Sequence, residues 1–459
     1  MIGRKTSRIG LKGFLPISWF LVSGSAYILL FCACQTMPTV VSTQTLLPTT
    51  KFEPLPTSTP VEELVFPKID RHPRPATVEN WSVWGYGKAL DALPAYDPNE
   101  NTIWKIDVRA QDLSGLDLRE SSHDLLSVTT FDEQTAWPPS ERLPKGFDPQ
   151  KIMELGKNPG LGLRGLHAQG ITGKGVGIAI IDSAPLNVDH PEYAQRLRLY
   201  EERSTLRGVD PVQMHGPAVA SLAVGKTVGT APGADLYYIT VPIDQGQDAN
   251  GNWLYDFNEA AGAVRRIVEV NKQLPEDRKI RVLSMSFGWM EGLKGYEELA
   301  MAVKEAHGAG IFIVSATPSM EKTNGFGFFG LGRKPMSDPD QFESYTLPDI
   351  LAPYFFADPT NPKWLEHLWV PMDNRTTASP IGSDEYVFYR LGGESWRIPY
   401  LAGIYALAAQ VEPGITVERF LELARETGKM IQVENEGKTY TIGPVIDPTA
   451  LIQKLDEAP

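Results

Sequence analysis

From Gly170 onward the chain alternates short, mostly apolar, β-branched runs with stretches of helical spacing, and that rhythm limits the folds open to it. Val176-Gly-Ile-Ala-Ile-Ile181, Leu236 to Val241, Arg281 to Met285 and Ile311 to Val314 suit parallel strands buried on both faces. Between them, Pro217 to Val224, Asn258 to Val270 and Glu297 to His307 have helical spacing, the last with a C-cap expected at His307-Gly308. Repeated units of this length predict an α/β fold, a doubly wound, mostly parallel sheet with helices on both faces in three layers. Sheets of that kind bind ligands at the carboxyl ends of their strands. Residues just past a strand are therefore the first candidates for function.

Asp182 is such a residue, directly after Ile180-Ile181. His215 opens an apolar helical stretch further on, and Ser395 follows the pair Gly392-Gly393 and opens the apolar run Ile398 to Ala409. A hydroxyl at a helix N-terminus sits where developing negative charge is favoured. Each residue alone has an ordinary explanation as a turn or cap. Their order, Asp then His then Ser, each at the edge of a strand or helix, is what gives them joint meaning.

The segments around them resemble the three motifs of the subtilisin-like serine peptidases, the subtilases. Gly170-Ile-Thr-Gly-Lys-Gly-Val-Gly-Ile-Ala-Ile-Ile-Asp182-Ser183 resembles the aspartate motif, and His190-Pro191-Glu192 a structural segment that follows it. His215-Gly-Pro-Ala-Val-Ala-Ser221 and Gly229-Thr-Ala-Pro-Gly-Ala-Asp235 resemble the histidine motif and the turn after it. Gly393-Glu-Ser-Trp-Arg-Ile-Pro-Tyr-Leu-Ala-Gly403 resembles the serine motif. The resemblance implies a subtilisin-like fold and a catalytic triad of Asp182, His215 and Ser395. A serine hydroxyl is a poor nucleophile at neutral pH, so His215 would accept its proton while Asp182 holds the imidazole. The resemblance also implies a substrate cleft along Ser284-Met-Ser286-Phe287-Gly288, where an extended peptide pairs as an added strand. Phe287 and Trp289 are candidates for subsites or for core. Three departures stand out: Ala184 and Glu394 replace the family's usual residues, and Ser319 takes the place of the asparagine that completes the oxyanion hole. Thr317 and Asn324 are the alternative donors nearby.

Upstream, residues 1–34 begin with Arg4, Lys5, Arg8 and Lys12, followed by an apolar run from Phe14 to Ala33. This reads as an export signal, either of the lipoprotein type with Cys34 as the lipidated residue, or as an uncleaved anchor spanning a bilayer. Phe31 departs from the lipoprotein pattern. Both cysteines, Cys32 and Cys34, lie here, so no disulfide staples the rest. Residues 35–64 hold five prolines and eight threonines without apolar periodicity and read as a tether. Residues 65–165, with Trp81, Trp84, Trp104 and Trp137, read as an ordered extension packed on the main domain, a propeptide-like inhibitor being one possibility, and residues 166–459 as the peptidase domain.

The formal charge of -13 argues against nucleic acid or an anionic membrane surface as working partner. Asp244-Gln-Gly-Gln-Asp248-Ala-Asn250-Gly-Asn252 is loosely spaced like a calcium loop and also reads as a polar turn. No metal or organic cofactor is expected to be required. Residues 320–392 match the family poorly and are expected to carry loops that shape or cover the cleft. Thr416 to Thr427 reads as an amphipathic helix ended by Gly428, and Ile431 to Ile442 as a hairpin turning at Asn435-Glu-Gly437. The leading expectation is an exported or surface-tethered serine endopeptidase acting on protein or peptide. The alternatives are a catalytically impaired subtilase fold that binds or scaffolds, and an esterase using the same triad.

Overall fold

The structure is a computed structural model that describes residues 64–79, 87–95, 106–203, 212–249, 252–317 and 326–457. All of them fall in one compact unit, Thr59–Pro459. The export signal with Cys34, residues 35–63 of the tether, Trp81, Trp84, Trp104, Ser319 and Asn324 lie outside the described residues.

The N-terminal part contributes β1 (Lys68–Ile69), β2 (Ile106–Asp107), α1 (Ser122–Ser127), β3 (Thr129–Asp132), α2 (Pro149–Lys157) and α3 (Leu163–Ala168). There follow β4 (Gly177–Asp182), β5 (Leu197–Glu202), α4 (His215–Val224), β6 (Asp235–Thr240), β7 (Asp244–Gln247), β8 (Trp253–Tyr255) and α5 (Asn258–Gln273). Then come β9 (Ile280–Met285), α6 (Tyr296–Gly308) and β10 (Phe312–Ser315). The central sheet has the order β1-β5-β6-β4-β9-β10, and every pairing in it is parallel. Its middle strand β4 is buried at all six positions, as the run Ile178-Ala-Ile-Ile181 requires. The chain lays strands on one side of β4 and then crosses to β9 on the other. The switch point is therefore at the carboxyl end of β4, where Asp182 stands.

The second half adds β11 (Phe328–Arg333), β12 (Tyr345–Thr346), β13 (Leu368–Pro371), β14 (Arg375–Ala378), β15 (Tyr386–Tyr389), α7 (Gly393–Val411), α8 (Val417–Thr427), β16 (Lys429–Asn435), β17 (Lys438–Val445) and α9 (Pro448–Asp456). Helices α4 and α7 pack on each other and on the central sheet, while α5 and α6 form a separate pair against it. Close approach sets the α7 contact: a Cβ on Gly403 would lie 2.5 Å from Thr230 Cβ.

The described residues of 320–392 hold the five strands β11 to β15, two short helices, Ala352–Ala357 and Lys363–Glu366, and the turns that join them. β11, β12 and β13 join β16 and β17 in a second sheet, and β14 and β15 pair with β3 and β2 in a third. The extension is likewise shared fabric. β1 extends the central sheet, while Ile106, Val108, Leu125, Val128, Phe131 and Met153 form a core with Phe388 of β15. Helix α2, capped by Asp148 with Pro149 in its first turn, lies on β14 so closely that a Cβ on Gly156 would meet Thr376 Oγ1 at 2.4 Å.

One helix end differs in detail from the sequence reading, and one turn agrees with it. α6 continues through Gly308, and the left-handed residue that ends its turn is Gly310, φ 77°. The C-terminal hairpin turns on Glu436 and Gly437, φ 49° and 74°, values of a type I′ turn. Gly403→Ala is expected to lower stability by about 1–3 kcal/mol through overpacking. Gly165→Ala, whose Cβ meets nothing within 4 Å inside α3, is expected to be neutral or stabilising by about 0.5–1 kcal/mol. Thermal or denaturant unfolding of the two variants checks the contrast.

Candidate active site

Asp182 ends β4 with 1% of its surface exposed. One carboxylate oxygen accepts the Ala184 N–H at 3.0 Å and the other faces His215 Nδ1 at 2.7 Å. A carboxylate only accepts, so Nδ1 carries the hydrogen and Nε2 is left as the basic nitrogen. Ala184 adopts no positive φ and needs no glycine; its carbonyl accepts the Tyr238 hydroxyl at 2.7 Å. His215 begins α4, and Gly216 after it has no room for a side chain, since a Cβ would lie 2.8 Å from the Pro185 carbonyl oxygen. His190, fully buried, receives the Glu192 N–H on Nδ1 and reaches the Glu385 carbonyl with Nε2, which ties the loop after Asp182 to β15.

Ser395 is the third residue of α7, inside the first helical turn, whose N–H groups have no partner within the helix. Its hydroxyl donates to the Ser286 carbonyl at 3.2 Å, and the Ser286 hydroxyl donates back to the Ser395 carbonyl at 3.0 Å. The residue after β9 is thus bonded to the start of α7, and the next residue of α7, Trp396, places its ring 5.8 Å from that of His215. The structure brings Asp182 and His215 into contact and puts Ser395 one residue from the group that packs on His215.

Glu394 pairs with Arg397 one helical turn on. The Gly392 N–H donates at 2.8 Å to Asp373, a buried carboxyl that no sequence pattern marked. Phe287 is half-buried and stacks on the buried Phe257 at 6.2 Å, whereas Trp289, 2% exposed, belongs to the core. Gly288 faces Ala316 and Thr317. Thr317 is not placed as a free donor: its hydroxyl donates to the Trp289 carbonyl at 2.5 Å. The segment proposed from spacing as a calcium loop is a hairpin of β7 and β8, in which Asp248 accepts from Asn252 N–H and Nδ2. Among the described residues no group of three or more His, Cys, Asp or Glu is arranged to hold a metal. Likewise, none of the described helices is long and apolar enough to cross a membrane.

The site thus consists of an acid–imidazole pair at the switch point of a parallel sheet and a serine at a neighbouring helix start. Among known proteins, residues 173–345 match the model of the subtilase family. The chain is 27% identical over 294 residues to the serine protease AprX of Bacillus subtilis (strain 168), covering 56% of this chain and 62% of AprX. It is 38% identical over 86 residues to the subtilisin-like protease PopC of Myxococcus xanthus (strain DK1622), 16% of this chain and 18% of PopC. The chain thus spans less than two thirds of the length of each of these curated relatives. A solved structure of the prenylagaramide maturation protease PagA superposes with a TM-score of 0.42 at 14% identity, covering 64% of this chain and 98% of that one.

Burial raises the Asp373 carboxyl to about 7, opposed by the Gly392 hydrogen bond and the Arg390 charge. The folded protein therefore holds this proton more tightly than the unfolded chain, and the group's penalty on stability grows as pH rises from about 4 to about 7. Asp373→Asn keeps an oxygen for the Gly392 N–H and removes the titration. Unfolding free energies across that range are expected to fall less steeply with pH in the variant, the difference reaching a few kcal/mol above pH ~7.

Proposed function

We propose that this protein is a serine endopeptidase that hydrolyses peptide bonds through an acyl-enzyme, with Ser395 as nucleophile, His215 as general base and acid, and Asp182 as the residue that orients the imidazole. The observation that carries the reading is the 2.7 Å contact between Asp182 and His215 Nδ1 at the switch point of the sheet. A χ1 rotation of Ser395 releases its hydroxyl from the Ser286 carbonyl toward His215 Nε2. Nε2 takes the proton as Oγ attacks the substrate carbonyl, then returns it to the leaving amine. Water deprotonated by the same nitrogen hydrolyses the ester. The Ser395 N–H, in the first turn of α7, supplies one donor to the oxyanion, and Ser319 is the second donor in this reading. The peptide pairs along Ser286, Phe287 and Gly288. The chemistry calls for no metal or organic cofactor.

The subtilase match and the basic, apolar N-terminal segment support a protein exported or tethered at the cell surface through that segment, with Cys34 as the lipidation site. Its substrates are then proteins or peptides outside the cytoplasm.

A fluorophosphonate applied to the full chain is expected to label Ser395, located by mass spectrometry of the adduct. His215→Ala is expected to abolish labelling, and Asp182→Asn to slow it by about 10⁴-fold through the wrong tautomer. An unlabelled, folded wild type overturns the reading in favour of a binding module built on a peptidase fold.

A further inference from the structure

The N-terminal segment reaches the imidazole through three buried side chains. Arg109 lies just past β2, 6% exposed, and is held by Asp107 through bonds of 2.9 and 2.7 Å from Nε and Nη2. Its Nη1 donates to the Tyr389 hydroxyl at 3.1 Å. Tyr389, fully buried at the end of β15, meets Trp396 edge to face at 5.4 Å and 83°. Trp396, 1% exposed, lies against Gly392 so tightly that a Cβ there would be 2.6 Å from the indole Cδ1, and its ring centre is 5.8 Å from that of His215. The indole N–H has no hydrogen-bond partner among the described residues. A buried indole ordinarily finds one, so this ring is held by shape rather than by its polar end.

We propose that Trp396 is a positioning residue for the His215 imidazole and that Arg109 and Tyr389 hold it there, which makes residues 106–132 a permanent part of the working site rather than a removable cover. The inference rests on the serine-peptidase reading. Asp182 fixes one nitrogen of the imidazole, and a wall on the face of the ring restricts its rocking about that bond. Reactive geometry is steep enough that a displacement of about 1 Å costs on the order of 10²-fold in rate. The wall is only as rigid as what stands behind it, and behind Trp396 stands Tyr389, braced from the N-terminal segment.

The test measures the second-order rate of fluorophosphonate labelling of Ser395 against pH in the full chain, for wild type, Trp396→Leu, Trp396→Phe, Arg109→Lys and the Arg109→Lys/Trp396→Leu double variant. Trp396→Leu is expected to slow labelling by about 10–100-fold and to shift the acidic limb of the profile, which reports His215, with Trp396→Phe recovering part of both. Arg109→Lys is expected to slow labelling by about 3–10-fold, and to add nothing in the Trp396→Leu background, because coupled residues are not additive. An unshifted limb and less than about a twofold change in Trp396→Leu overturn the inference, as do fully additive effects of the two substitutions. If Trp396→Leu does not fold, Trp396→Phe and Tyr389→Phe carry the same decision. Loss of labelling in the wild type would instead sink the peptidase reading. NMR titration of His215 then still decides the inference, since a pKa unmoved by Trp396→Phe and Arg109→Lys overturns it.

Discussion

The fold depends on a carboxylate being acceptable at the end of a strand buried on both faces. Asp182 is nearly inaccessible, and a buried charge is tolerated only where hydrogen bonds replace water. The Ala184 N–H and His215 Nδ1 do this, and both demand proximity: the loop after β4 must fold back on Asp182, and α4 must begin beside it. Gly216 is the steric counterpart of that demand, because any side chain would strike the Pro185 and Ala184 carbonyls. The Tyr238 hydroxyl on the Ala184 carbonyl closes the arrangement from β6.

The start of α7 meets a related difficulty. Two acids, Asp373 and Glu394, lie within a few residues of Ser395 or its turn, where uncompensated negative charge would oppose an oxyanion. Glu394 is paired with Arg397, and the buried environment of Asp373 favours its neutral form up to about pH 7. The departures at Ala184 and Glu394 are therefore absorbed locally, by a backbone that needs no positive φ and by an ion pair one turn along.

The matched family segment, 173–345, is smaller than the unit that builds the site. Ser395 and α7 lie beyond it, and the sheet behind Trp396 is completed by β2 and β3 from the N-terminal side. Long-range pairing of this kind ties residues near 107 and 131 to residues near 388, so the first and last thirds of the chain share one hydrophobic core with Phe131 against Phe388 at 5.2 Å.

The sequence by itself determined the central architecture and the three principal candidates. Short runs such as Val176 to Ile181 can satisfy their backbone and bury their side chains only as parallel strands, and residues at strand ends follow from that. It also located α8, read as Thr416 to Thr427 and found as Val417–Thr427 with Thr416 as its cap, and the turn at Asn435-Glu-Gly437, since helix ends and tight turns are decided by neighbours in the chain. Residues 320–392 were opaque because β13 and β15 each take a partner from a distant segment, β17 and β3, and no local periodicity records a distant partner. Asp373, Tyr389 and Arg109 were invisible for the same reason. Their burial, and hence the raised Asp373 carboxyl and the wall behind His215, exist only once three separate sheets have been assembled, because desolvation and packing belong to the tertiary arrangement and not to the order of the residues.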